Sequence, residues 1–128
     1  MDFNDLMEKA KEVSKNSYSP YSNFPVGACV LGESGRTYVG TNVENASYGG
    51  TICAERNAIF NAITNGEKKI KAVAIYSQKM KRCAPCGFCR QVMSEFRSKD
   101  GVDIIIEAED GGIEVHTLDE LIPMSFSL

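Results

Sequence analysis

Two short segments, IKAVAIYS (residues 70–77) and VDIIIEA (residues 102–108), are nearly continuous apolar runs. A strand with one face in water alternates apolar and polar residues; an unbroken run is the pattern of a strand covered on both faces. A chain with two such strands must supply helices above and below the sheet. Two segments meet that need. CAERNAIFNAIT (53–64) carries Ala54, Ala58, Ile59 and Ala62 at helical spacing, with Gly66 as a stop signal, and CRQVMSEFRSK (89–99) reads as a second helix.

The remaining segments complete the order. NDLMEKAKEVSKN (4–16) predicts an amphipathic helix with Leu6, Ala10 and Val13 on one side, broken by the proline-containing loop SYSPYSNFP. VGACVLG (26–32) and TYVGTNVEN (37–45) predict a hairpin around ESGR, with glycine at the turn. IEVHTL (113–118) is a weaker last strand and LDELIP a short helical turn. The sequence therefore predicts an α/β protein with a mixed sheet and helices on both faces, in one domain spanning residues 1–128, without internal repeats or linkers. Cys53 and the cluster CAPCGFC (83–89) both fall where the chain enters a helix. In open α/β sheets that edge is where ligands bind.

With 128 residues, 43% of them hydrophobic and 24% charged, the chain can bury a core of its own. A net charge of −3 argues against a nucleic-acid partner, since phosphate-binding surfaces gather Lys and Arg. No apolar run approaches the roughly 20 residues that cross a bilayer. The opening MDFNDLMEKAKEV mixes charged and apolar residues, unlike a signal peptide or an anchor, so a reducing cytoplasm is expected. Five cysteines in that setting are poor disulfide candidates, and metal binding becomes the leading explanation.

Cys86 and Cys89 form a CxxC pair, a spacing shared by zinc sites and redox dithiols. Cys83 extends it to CxxCxxC, so a structural zinc held by Cys53, Cys83, Cys86 and Cys89 is one reading. Two neighbours favour another. Glu55 stands two residues after Cys53, where a structural knot has no use for an acid, and Pro85 fixes the chain entering the helix at Cys86. Thiolates in the first turns of two helices would be stabilised there. Three thiolates with a free fourth position beside Glu55 would make a catalytic site.

These motifs resemble the small zinc-dependent cytidine deaminases that act on free nucleosides. The similarity runs through YSPYSNFPVGA, TNVENASY, CAERNAIFNAI, PCGFCRQVMSEF and the closing LIPMSF, and so covers nearly the whole chain. It implies the cytidine-deaminase-like three-layer sandwich with a five-stranded sheet. It implies one zinc ion per chain, held by Cys53, Cys86 and Cys89, which activates the water that attacks C4 of cytosine. Glu55 would move protons from that water to ring N3 and the departing amino group. Arg56 would offset the excess negative charge of three thiolates by hydrogen-bonding to a ligand sulfur. The resemblance assigns Asn42 and Glu44 to the ribose hydroxyls, and Phe24 and Ala54 to the substrate pocket. Tyr48 and Phe126 would be supplied to a neighbouring subunit's site in a homotetramer.

Rival readings remain. Blasticidin deaminases share the Cys-x-Glu and PCxxC signature, although the Asn42–Glu44 pair suits an ordinary ribose or deoxyribose. Polynucleotide-editing relatives usually carry His at the Cys53 position and need a basic groove. A non-enzymatic structural-zinc module would use all four candidate cysteines. Cys29 reads as a buried small apolar residue, Cys83 as an extra thiol near the metal, and His116 as structural.

Overall fold

A computed structural model of the chain describes residues 2–128. The elements are α1 (Phe3–Val13), β1 (Gly27–Gly32), β2 (Thr37–Thr41), α2 (Ala54–Thr64), β3 (Ile70–Tyr76), α3 (Gly87–Glu95), β4 (Asp103–Glu107), β5 (Ile113–Thr117) and α4 (Leu118–Leu121). Among the described residues the strands form one five-stranded sheet in the order β2-β1-β3-β4-β5. β3 and β4 run parallel, while the β1–β2, β1–β3 and β4–β5 pairs are antiparallel. A parallel pair cannot be closed by a tight turn, and α3 lies in the crossover between β3 and β4.

Side chains alternate across the sheet, so each central strand feeds two cores. On one side Leu6, Met7 and Ala10 of α1 pack on Cys29, Leu31, Ala72, Ala74 and Ile105. On the other, Ala58, Ile59 and Ala62 of α2 and Met93 of α3 cover Ala28, Val30, Val73, Ile75, Ile104 and Ile106. This is why the β3 and β4 segments are apolar without a break. The expected mixed sheet with helices on both faces is the observed one.

Close contacts along its length seat α2 against edge strand β2. At Gly40 a Cβ would fall 2.4 Å from the Ala58 backbone nitrogen, so only glycine lets β2 lie this near the helix. Asn57 and Asn61, one turn apart, donate their amides to the Thr41 and Val39 carbonyls of edge strand β2, at 2.8 and 3.2 Å. The helix stops before Gly66, whose φ of +102° suits glycine.

Some boundaries differ from the sequence expectation. The helix expected over 89–99 spans Gly87–Glu95. It ends early because Ile70, at the start of β3, donates to the Phe96 carbonyl and accepts from Ser98, drawing that backbone to the sheet. The strand expected over 37–45 leaves the regular ladder after Thr41, and Val43 bridges instead to Tyr18 and Ile52. This bend carries Asn42 and Glu44 out of the sheet and into the wall of a cleft.

Candidate active site

α2 and α3 both start from a cysteine. Cys53 and Cys86 are the N-cap residues, with extended backbones (φ −69°, ψ 155° and φ −69°, ψ 168°), and neither caps its helix through its side chain. Their sulfurs are therefore free to meet a third, that of buried Cys89 in the first turn of α3. The Sγ atoms of Cys53, Cys86 and Cys89 all lie within 4.8 Å of one another, and Cys86 and Cys89 are 3.6 Å apart. Arg90 braces this corner by donating to the Pro85 carbonyl, at 2.8 Å, and to the Leu121 carbonyl, at 2.7 Å.

Three soft donors at two helix N-termini fit a zinc ion with one further coordination position. Cys83 lies outside the clustered set, so the described residues do not assemble a four-cysteine knot. It is half-buried in the wall of the same cleft, and burial above all pushes its thiol up to about 11. Cys53 behaves oppositely. A hydrogen bond from Cys89, assisted by Arg56, lowers it to about 5, and Cys89 is raised in return because it holds the shared proton.

Glu55 projects from the first turn of α2 into the same cleft and is only 5% exposed. Burial pushes its carboxyl up to about 7, with its own backbone N–H offsetting part of the effect. A carboxyl poised there can take up and release a proton near neutral pH. Its oxygens are not among the clustered donor atoms, so it is spare for that task. Arg56 Nη2 donates to Cys53 Sγ at 3.4 Å. The cleft measures about 360 Å³, and Phe24, Val26, Asn42, Glu44, Ala54 and Ala84 contribute to its walls beside Cys53, Glu55 and Cys86. A larger groove of about 680 Å³, bordered by residues of α1, β2 and α2, contains none of these reactive groups. Chemistry rather than size identifies the site.

A family profile described as "Cytidine and deoxycytidylate deaminase zinc-binding region" matches residues 2–104. The chain belongs to this family. A cytidine deaminase of Sporosarcina psychrophila is 40% identical across 99% of this chain and 93% of its own length. Among solved structures, cytidine deaminase from Burkholderia pseudomallei superposes with a TM-score of 0.90 at 39% identity, covering 98% of this chain and 100% of the other. Cytidine deaminase from Mycobacterium tuberculosis does so with a TM-score of 0.87 at 34% identity, covering 100% and 99%. The three-layer arrangement and the zinc-binding region are thus those of the cytidine deaminase family.

Within this family fold, Asn42 and Glu44 are braced by the loop between α1 and β1. Asn42 Oδ1 accepts from the Val26 N–H at 2.9 Å and from the Ser17 hydroxyl, while its Nδ2 donates to the Phe24 carbonyl at 2.8 Å. Glu44 accepts from the Tyr21 and Ser22 N–H groups, at 2.9 and 3.1 Å, and from the Ser22 hydroxyl. These bonds, led by the Ser22 hydroxyl, hold the Glu44 carboxyl below its ordinary range. Ala54 is fully buried as the first residue of α2, and Phe24 is half-buried.

The two residues expected at a subunit boundary are open to solvent within one chain. Tyr48 is 79% exposed, meeting Tyr21 edge-on at 6.2 Å, in a shallow depression that shares Ser22, Glu44 and Thr51 with the cleft. Phe126 is 67% exposed and does not line its own chain's cleft. The C-terminal segment is tied to α3, where the Ser94 hydroxyl bonds the Ser125 hydroxyl at 3.1 Å and Gln91 donates to the Phe126 carbonyl at 3.4 Å. His116 is paired with Glu114, at 2.8 Å, and Glu120, at 3.4 Å, away from the cysteines. Sequence reasoning missed Ser22, which braces Glu44, and Phe88, which covers Arg56. The YSN stretch in the loop and the aromatic between two clustered cysteines were the available signals.

Proposed function

We propose that this protein hydrolyses cytidine and deoxycytidine to uridine and deoxyuridine with release of ammonia, serving pyrimidine salvage. The observation that carries the reading is a buried carboxyl, outside the cluster of three sulfur donors, in the same cleft as that cluster. Cys53, Cys86 and Cys89 would hold a zinc ion, which would supply the Lewis acidity that makes a water molecule nucleophilic near neutral pH. Glu55 would relay both protons of the attacking water in turn, the first to ring N3 and the second, from the hydroxyl formed at C4, to the amino group that leaves as ammonia. Its raised pKa, about 7, suits this exchange because near neutral pH the carboxyl can both bind and release a proton.

Arg56 hydrogen-bonds to Cys53 and so draws negative charge off the sulfur. Asn42 spends its amide oxygen on the loop but keeps one N–H for a sugar hydroxyl, and Glu44 stays ionised to accept from another. Phe24 offers its ring to the base, and Ala54 shapes the floor below it. Tyr48 and Phe126, exposed in one chain, complete a neighbouring subunit's site in a homotetramer. A cytoplasmic setting suits three ligand cysteines that must remain reduced.

Purified zinc-loaded protein incubated with cytidine should lower the solution's ultraviolet absorbance and release one ammonia per uridine formed. Zinc binding without any turnover of cytidine or deoxycytidine would reduce the chain to a metal-binding module. Turnover of blasticidin S in preference to either nucleoside would reassign the substrate.

A further inference from the structure

Phe88 is the second residue of α3, between Cys86 and Cys89, and 68% of it is exposed. It is not part of either core cluster. Its ring instead lies against Arg56, with the guanidinium carbon 4.5 Å from the ring centroid. Arg56 makes no ion pair with a carboxylate among the described residues. One terminal nitrogen donates to Cys53 Sγ, and its Nε is buried with no hydrogen-bond partner. A guanidinium offers five donors on a flexible stem, and a half-buried one with unused donors gains by turning to water. Attraction to the Cys53 and Cys89 sulfurs draws the cation to the cluster but does not by itself close it to solvent. The aromatic face does so, because the ring attracts the cation and closes one side of it to solvent.

We infer that Phe88 is a positioning residue that holds the Arg56 guanidinium against the Cys53 sulfur and shields that hydrogen bond from water. The inference rests on the reading of Cys53, Cys86 and Cys89 as the metal ligands. A hydrogen bond to a ligand sulfur withdraws electron density from the sulfur–metal bond, so releasing Arg56 leaves the sulfur a stronger donor and the metal a weaker Lewis acid. The effect of Phe88 is therefore electronic and runs entirely through Arg56.

The test replaces zinc with Co²⁺, whose sulfur-to-metal charge-transfer absorption reports sulfur electron density, and measures kcat/KM on the zinc-loaded protein alongside it. Phe88→Leu keeps apolar bulk and removes the π face, with Phe88→Met as a second such variant; Phe88→Tyr keeps the face. Phe88→Leu and Arg56→Ala should both move the charge-transfer band to lower energy, and Phe88→Tyr should match the wild type. Phe88→Leu should lower kcat/KM about twofold to tenfold, the range expected of a partly exposed cation–π contact. Added to Arg56→Ala, it should change neither readout further. An unmoved band in both Phe88→Leu and Phe88→Met, or additive effects in the double variant, would overturn the inference. So would altered sedimentation with an unmoved band, which would make the ring a contact between copies of the chain. If the wild-type protein itself shows no sulfur-to-cobalt band, the thiolate centre fails, and this inference with it.

Discussion

Helix α2 has a buried carboxyl near each end, and the two are in opposite states. Glu55 in its first turn and Glu67 just beyond its last are similarly hidden, at 5% and 7% exposure. Glu67 accepts from the Ser34 N–H at 3.2 Å, from the Tyr38 hydroxyl at 2.8 Å and from the Ser34 hydroxyl, and these bonds hold its carboxyl below the ordinary range. Glu55 has no such set of donors, and burial pushes it up to about 7. Similar surface exposure thus accompanies a structural anion at one end and a carboxyl poised to exchange a proton at the other. The difference lies in depth and in donors: Glu55 is set deeper, where burial dominates, while hydrogen bonds dominate at Glu67.

The strongest test of that contrast is Glu55→Gln. Turnover should fall by about 10²–10⁴-fold, the usual contribution of a general acid–base group, while zinc content stays near one per chain. Stability should move the other way. A carboxyl raised from 4.5 to about 7 on folding contributes fully below pH 4.5, and that contribution is lost as pH rises through 7. Gln does not titrate, so at pH 8 and equal zinc content the variant should melt above the wild type. A variant that keeps its activity removes Glu55 from the proton-carrying role, and one that melts lower at pH 8 removes the raised pKa.

Phe126→Ala tests whether the chemical end can work without the exposed rim. Loss of an aromatic face on a pyrimidine, worth roughly 1–3 kcal/mol, should cost about tenfold or more in kcat/KM with zinc unchanged. Mixing it with Glu55→Gln protein should restore activity after subunit exchange, since some sites would join an intact Glu55 to a neighbour's intact Phe126. Exchanged mixtures that stay inactive would place each pocket within one chain.

Glu67→Gln sharpens the comparison from the structural end. Activity should persist, but about 1–3 kcal/mol of stability should be lost at pH 7, where the ionised carboxylate is fully hydrogen-bonded. A carboxyl lowered on folding contributes above its unfolded pKa, and its contribution disappears as pH falls through the folded value. The gap in melting temperature from the wild type should therefore close in acid. A gap that is constant from pH 7 to pH 3 would mean that packing against Gly32, where a Cβ would fall on the Glu67 side chain, rather than charge, is what Glu67 provides.

The smallest effect is expected at Cys83. Unlike Cys53, it stands outside the sulfur cluster and burial keeps it protonated. Cys83→Ala should leave zinc stoichiometry unchanged and activity within about twofold, since trimming a partly buried thiol removes little apolar area. A zinc-free variant would restore the four-cysteine arrangement.

Much of the site is legible in the chain because its parts are local. Cys53 and Glu55 share a helix start, Cys86 and Cys89 are one turn apart, and continuous apolar runs demand a sheet covered on both faces. Such spacings translate directly into geometry because helices and strands have fixed periods. Tertiary structure alone decided which fourth thiol is excluded, since Cys83 and Cys53 have the same covalent chemistry and differ only in where the fold leaves them. It also separated Glu55 from Glu67, because a carboxyl's state depends on its depth and on the donors around it, and the Glu67 donors come from β2 and the β1–β2 turn. The Phe88–Arg56 contact joins two helices through residues more than thirty positions apart, and only their packing brings them together.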